Sequence, residues 1–294
     1  MANTKANQNT PLAAPDFIEQ LTNTDSKPDS PGYIRKQEIY KTADEAATRV
    51  LTDMPLLHKI LELSARTPAV KITNLLNMAV KRPDAIHMNT KRGWNKRGVR
   101  VIDESGGIDL LEASQTPKYD PATGQTSRPN YAATFYDVID TNAYMGKPAP
   151  VLDIDRMFAT IQQPSRYKIE FMEGVPGGCL FFPQRQTMYI DKALTKEQTV
   201  CAYVGGMVQK DLHYELKLPA GDPQLMFASQ CAAYITAVKT GQTVSQYAIN
   251  KADVPQVEPE IMKKLIENIH RSTSKQMAPL TKEHDKVPDR EVAL

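Results

Sequence analysis

Cysteine is scarce in this 294-residue chain: Cys179, Cys201 and Cys231 are the only three, and no two form a C-x-x-C pair. That excludes a disulfide framework and a thiolate zinc site. All three lie in apolar strings, GGCLFF, TVCAYV and SQCAAY, and read as buried small hydrophobes. Free thiols of this kind fit a reducing cytoplasm. No run of about 18 apolar residues occurs, so no membrane span is expected. The opening MANTKANQNTPLAAPDF lacks the apolar stretch of a signal peptide. The five histidines, His58, His87, His213, His270 and His284, are scattered, and H-E-x-x-H, Walker A, G-x-G-x-x-G and G-x-S-x-G are all missing. His213 and Glu215 are close, but two residues along a helix turn side chains about 200° apart, so a surface role suits His213 better than metal binding. No cofactor is expected.

The pattern that is present alternates between helix and strand. Residues 1–41 are polar and read as a mobile tail. From Thr42, TADEAATRVLTDMPLLHKILELSA repeats its apolar residues at helical spacing, with Thr42 and Asp44 as capping residues and Pro55 dividing it into two helices. VKITNLLNMAVKRP is a third helix. GVRVIDES, GIDLLEAS and NYAATFYDVID read as strands, with QTPKYDPATGQTSRPN as a polar loop or hairpin tip. A linker with a short helix follows, in which DIDR at 153–156 suits a helix cap. YKIEFMEG and GGCLFFPQRQTMYID read as strands around the turn EGVPGG. LTKEQTVCAYVGGMVQKDLHYE is a helix capped by Thr195, and DPQLMFASQCAAYITAVKTG is another, stopped by Gly241. EPEIMKKLIENIHRSTSKQ is amphipathic, with Ile261, Leu265 and Ile269 on one stripe.

Charge is distributed unevenly. Residues 66–100 carry nine lysines and arginines against one acid, Asp84, in a chain whose formal net charge is +2. Such a block is the footprint of a nucleic-acid surface. Trp94, the only tryptophan, lies inside it in KRGWNKRGVR. Two readings are open. A base stacks on the indole while cations follow the phosphates, or the indole packs inward and the charges form a solvated face.

TNLLNMAVKRPDAIHMNTKRGWNKRGVRV resembles the N-terminal domain of the ArdC-type antirestriction proteins of mobile elements. Asn74, Leu75, Leu76, Pro83, Ala85, Trp94, Gly98, Val99, Gly107 and Ile108 carry the likeness, which closes on Tyr136, Asp137 and Val138. The resemblance covers about residues 43–142 and implies sequence-independent binding of single-stranded DNA. The residues it points to are Lys81, Arg82, Lys91, Arg92, Trp94, Lys96, Arg97 and Arg100. One departure is the acidic turn IDESG before the last G-I strand, where the family has lysine and glycine.

In the same family a zincin-like metallopeptidase domain follows. Its two histidines stand at i and i+4 on one helical face to hold a zinc ion, and a glutamate activates the bound water. LFFPQRQTMYID, LTKEQTVCAYVGGMVQKDL and FASQCAAYITAVKTG resemble that scaffold. Gly205 falls at the first histidine, Gly206 at the glutamate, Gln209 at the second histidine and Gln230 at the third ligand. The resemblance therefore implies a domain without metal or catalysis, in which the glycines are what remains of the lost residues and leave room for a kink. The expected molecule is α+β, with two small domains and mobile tails. A single-stranded-DNA-binding-like domain spans 42–142, a linker 143–165, a degenerate metallopeptidase-like domain 166–252, and a C-terminal helix and tail 253–294. The implied setting is the cytoplasm, and the implied partner is single-stranded DNA in antirestriction or DNA transfer. The alternative is a non-catalytic module whose cleft holds a partner protein.

Overall fold

Ser30, not Thr42, opens the first helix. In the computed structural model, which describes residues 30–121, 124–143, 152–163 and 167–281, α1 runs Pro31–Arg49. The Ser30 side chain accepts from Tyr33 N, and Pro31 occupies the first turn, where no backbone donor is lost. The tail assigned to 1–41 is thus helical from residue 31. Beside the buried Ile39, distant polar contacts hold its first turns: Arg35 Nε donates to Asp109 Oδ2 at 2.7 Å, and Asn77 Nδ2 donates to Ile39 O at 2.8 Å. The remaining parts of the expected tails, 1–29 and 282–294, and part of the expected linker lie outside the described residues.

Pro55 does divide the next stretch. It stands in the first turn of α2, Met54–Arg66, which Asp53 caps by accepting from Leu56 N at 3.0 Å. α3 spans Ile72–Lys81. There Asn74 Nδ2 donates to Leu111 O and Asn74 Oδ1 accepts from Leu111 N, both at 2.8 Å. One buried amide thus behaves like a strand residue and fixes α3 against the sheet. That sheet is antiparallel in the order β1 (Met88–Thr90), β5 (Asn130–Asp137), β2 (Ile108–Ala113). A short helix, α4, Lys91–Lys96, follows β1. The loop between β2 and β5 is a two-stranded hairpin, β3 (Lys118–Asp120) with β4 (Gln125–Ser127). GVRV makes only one bridge, Val101 to Thr141. Gly98 has φ +72° and Val99 N donates back to Trp94 O, so this stretch closes α4 instead of extending.

The second half starts with α5, Ile154–Ile161, capped by Asp153. A three-stranded sheet follows in the order β6 (Lys168–Met172), β8 (Thr187–Asp191), β7 (Cys179–Phe182). β8 runs parallel to β6 and antiparallel to β7. Over it lies α6, Lys196–Leu216, opened by the reciprocal Thr195–Gln198 capping box. α7, Pro223–Lys239, and α8, Pro259–Thr281, complete the fold. The buried stripe of α8 is Met262, Leu265, Ile266 and Ile269, while Ile261 is 47% exposed. Leu265 and Ile269 are buried as expected, and Met262 takes the place expected for Ile261.

The core is not divided where the linker was expected. One cluster of buried residues joins Leu57, Leu61 and Leu75 of the first half to Val208, Phe227, Ile235, Leu265 and Ile269 of the second. α8 ties both halves by polar contacts as well. Lys263 pairs with Asp44 on α1. His270 Nε2 donates to Val70 O at 2.9 Å, which leaves its Nδ1 to accept from the Ser64 hydroxyl.

Two expectations follow. Replacing Asn74 with alanine leaves Leu111 N and O unpaired in the core, at about 1–3 kcal/mol per group, and urea unfolding should register a loss of that order. Burial holds the His270 imidazole below its ordinary pKa, and burial aided by Arg97 does the same for His87. A base depressed in the folded state stabilises above its unfolded pKa near 6.5, and that stability is lost as pH falls through it. Asp109, held low by Arg35, acts only at more acid pH. Stability should therefore fall between pH 7 and 5, with ring titrations of both histidines by NMR centred below 6.5; midpoints at or above that value would contradict it.

Candidate functional site

The basic block folds around its tryptophan. Thr90 caps α4 by accepting from Gly93 N at 3.1 Å. One turn later Trp94 enters the core with only 3% of its surface exposed. Its Nε1–H donates to Tyr136 O at 3.0 Å, and the His87 ring meets it edge-on at 5.4 Å. The indole is therefore an anchor and not an open stacking platform, which corrects the first of the two sequence readings for that residue. The reason is tertiary: β5 offers a carbonyl and an apolar wall beside α4, and the ring supplies one donor and a large apolar area.

Around that anchor Lys91, Arg92, Lys96, Arg97 and Arg100 are all exposed, and Lys81 is exposed at the end of α3. Arg97 lies 5.9 Å from the Trp94 ring centre and donates to His87 Nε2 at 3.1 Å, consistent with a neutral His87. Lys91 pairs with Glu104, so the acidic turn IDESG neutralises one cation of the block. A shallow groove of about 530 Å³ runs beside α4, lined by Lys91, Asn95, Gly98 and Arg100 among others. Arg82 stands apart. Its guanidinium is 14% exposed, bonded to Asp140 at 2.8 Å and to Gly106 O, and it braces the turn after β5. Arg82 is a structural cation, not a free surface charge.

In the second half, α6 passes through Gly205 and Gly206 as unbroken helix, so the room for a kink is not used. Both glycines are buried, and both are places where neighbours come too close for a side chain. A Cβ on Gly205 would lie 2.8 Å from Ser229 O of α7, and one on Gly206 would lie 2.3 Å from Cys179 Sγ of β7. The glycines are therefore packing positions. Cys179 occupies the room a side chain at 206 would need, and burial pushes its thiol up to about 12, so it stays protonated at neutral pH. Sequence reasoning did not find these contacts. The signal available was the pairing of two mid-helix glycines with the small-residue string ASQCAA on the next helix, a sign of close helix approach.

Gln209 is 3% exposed; its Oε1 accepts from Phe181 N at 3.3 Å. Gln230 on α7 is half-buried, and its buried Oε1 has no hydrogen-bond partner. It lines a cavity of about 350 Å³ with Gly177, Gly178, Gln198, Ser229 and Tyr247 among others. Among the described residues no three His, Cys, Asp or Glu side chains are grouped to hold a metal ion. His213 and Glu215 are drawn apart: His213 Nδ1 donates to Leu218 O at 2.7 Å, and Glu215 pairs with Arg271.

Two solved structures are similar in fold, both of the antirestriction protein ArdC from plasmid R388. The metal-free one is 13% identical, with a TM-score of 0.50, and the match covers 83% of this chain and 96% of that one. The Mn(II)-bound one is 12% identical, with a TM-score of 0.52, covering 85% and 99%. No protein-family model and no curated protein sequence matches. The likeness establishes an ArdC-like α+β fold over most of the chain. The residues at 205, 206, 209 and 230 do not fit a divalent ion. Two have no side chain, and Gln209 turns its carbonyl oxygen to the backbone of β7.

If Gly206 only marks a lost residue, alanine there should favour the helix by about 1 kcal/mol. The Cys179 contact requires the opposite: Gly206→Ala should destabilise by about 1–3 kcal/mol. The penalty should shrink in a Cys179→Ala background. A double-mutant cycle by chemical denaturation reads both; no coupling between the two sites would sink the packing account.

Proposed function

We propose that this chain binds single-stranded DNA without reading its sequence, as an antirestriction-like or DNA-transfer protein of a mobile element. The observation that carries this reading is the exposed cation cluster of Arg92, Lys96, Arg97 and Arg100 on a turn locked by Trp94, with Lys81 and the partly neutralised Lys91 beside it. Guanidinium and ammonium groups held this way neutralise phosphates and release counterions, which needs no base-specific geometry. The ArdC-like fold supports the same reading. Trp94 and Arg82 serve it from behind, by holding the turn and the Asp140 loop in place.

The metallopeptidase-like half acts, on this proposal, without catalysis. Zinc-dependent hydrolysis needs two imidazoles, an acidic ligand and a carboxylate base, and the corresponding positions are two glycines and two amides. The cytoplasm is the compartment we propose, since all three thiols are free and buried and no helix among the described residues is long and apolar enough to cross a membrane. A second reading rests on the cavity at Gln230, whose unpartnered oxygen would suit an N–H donor of a partner protein.

Fluorescence anisotropy with labelled single- and double-stranded oligonucleotides, at low and moderate salt, tests the first reading. Tighter, salt-sensitive binding of the single strand is expected. Changing Arg92, Lys96 and Arg100 together to alanine should weaken it and flatten the salt dependence, by about 0.7 in log–log slope per lost phosphate contact. Absence of binding at micromolar protein would overturn it and leave the cleft reading to be pursued by pull-down.

A further inference from the structure

A cation track alone holds phosphates, whereas single-strand binding also gains from rings on which bases stack. With Trp94 buried, the stacking partner must be sought elsewhere on the same half. Tyr136 is buried. Tyr131 is partly buried and donates to Glu112 Oε2 at 2.8 Å, and the His87 ring lies edge-on against Trp94. Tyr119 is different. It sits on β3 of the hairpin, 62% exposed and paired in register with Thr126 of β4. No other exposed aromatic among the described residues shows as much surface. Burial does not account for a tyrosine there, since every described residue from Thr116 to Pro129 whose exposure is defined is open to solvent.

The hairpin stands at the Asn130 end of the sheet, toward which β1 runs. β1 pairs Thr90 with Phe135, and β2 pairs Ala113 with Asn130. The α4 segment opens there with Lys91 and Arg92 and then turns back along the sheet, Trp94 donating to Tyr136 O, Arg97 to His87 and Arg100 N to Asn142 Oδ1; the hairpin begins at Asn130. Burial, with the bond to Glu112, pushes the Tyr131 phenol up to about 12, and the Arg92 charge opposes the shift. Lys71 Nζ donates to Asn130 Oδ1 at 2.9 Å, at the hairpin base. Exposed Lys118 and Arg128 lie on the ribbon itself. Thr126, opposite Tyr119, is four residues from Asn130, so the phenol is carried no more than about 14 Å beyond the base along the ribbon.

We propose that Tyr119 is the base-stacking residue of a single-stranded nucleic-acid track. The track runs from Lys96 and Arg92 past the hairpin base to Lys118 and Arg128, with the β3–β4 ribbon as an arm laid along the strand. This rests on the single-stranded DNA reading above and adds to it the residue that meets the bases. The phosphates contact the cations and the sugar-phosphate chain passes the sheet end. One or more bases turn onto the phenol face, which accepts any base because every base has a π face.

The experiment uses the full chain with a labelled oligo-dT strand and the same strand carrying abasic sites throughout. Tyr119→Ala should weaken oligo-dT binding about 5- to 150-fold, with the salt slope unchanged. Tyr119→Phe should bind as the parent does, and the abasic strand should not distinguish the three proteins. If the parent binds oligo-dT and Tyr119→Ala binds it equally well, the stacking assignment is overturned while the cation track stands. If the parent does not bind at all, both fail together. A lower affinity of Tyr119→Ala for the abasic strand, in equal measure, would also overturn stacking, because the loss would then come from the ribbon and not from the bases.

Discussion

The missing side chains at Gly205 and Gly206 set the distances on which the second half is built. Because α6 shows bare backbone there, Ser229 of α7 comes up against it on one side and Cys179 and Met188 of the sheet on another. Interiors are packed to crystal-like density, so a helix sunk this far must be met by small groups. The same two glycines allow α6, α7 and β7 to close on one another.

That closure reaches the first half through α8. Its buried stripe faces α6 and α7, and its polar contacts reach Asp44, Ser64 and Val70. The basic turn therefore rests on a platform continuous with the second half, through α3 and the Asn74–Leu111 pair. The segment around Trp94 is short, with few residues of its own to hold it. It keeps its shape because the indole, Arg82 and Asp137 fasten it to the sheet.

What could be read from the sequence was local chemistry and the order of motifs. Pro55, Asp153 and Thr195 announce their helices because helix starts are a matter of neighbouring residues. The ArdC-like arrangement was legible because a series of individually weak residues stood in the right order. The start of α1 was hidden, since the contacts that hold it, Arg35 to Asp109 and the Ile39 carbonyl to Asn77, reach residues far away in sequence. GVRV looks extended by composition, yet the left-handed Gly98 turns it back. Trp94 could not be placed, because an indole among arginines serves equally as a platform or as an anchor, and only the position of Tyr136 O decides. Gly205 and Gly206 were legible as an anomaly but not as contacts, since their reason lies on α7 and β7.

Gln209 has a consequence for the solution behaviour of the chain. β7 is the last strand of its sheet, and a last strand offers unpaired N–H and C=O groups to any extended segment that drifts by. Here the outward N–H of Phe181 is taken by the Gln209 amide, which imitates a neighbouring peptide. At the opposite edge, β6 carries Lys168 and Glu170, charges that discourage a foreign strand. The sheet is thus guarded at both margins against self-association. A single buried amide here helps to keep the molecule from recruiting copies of itself.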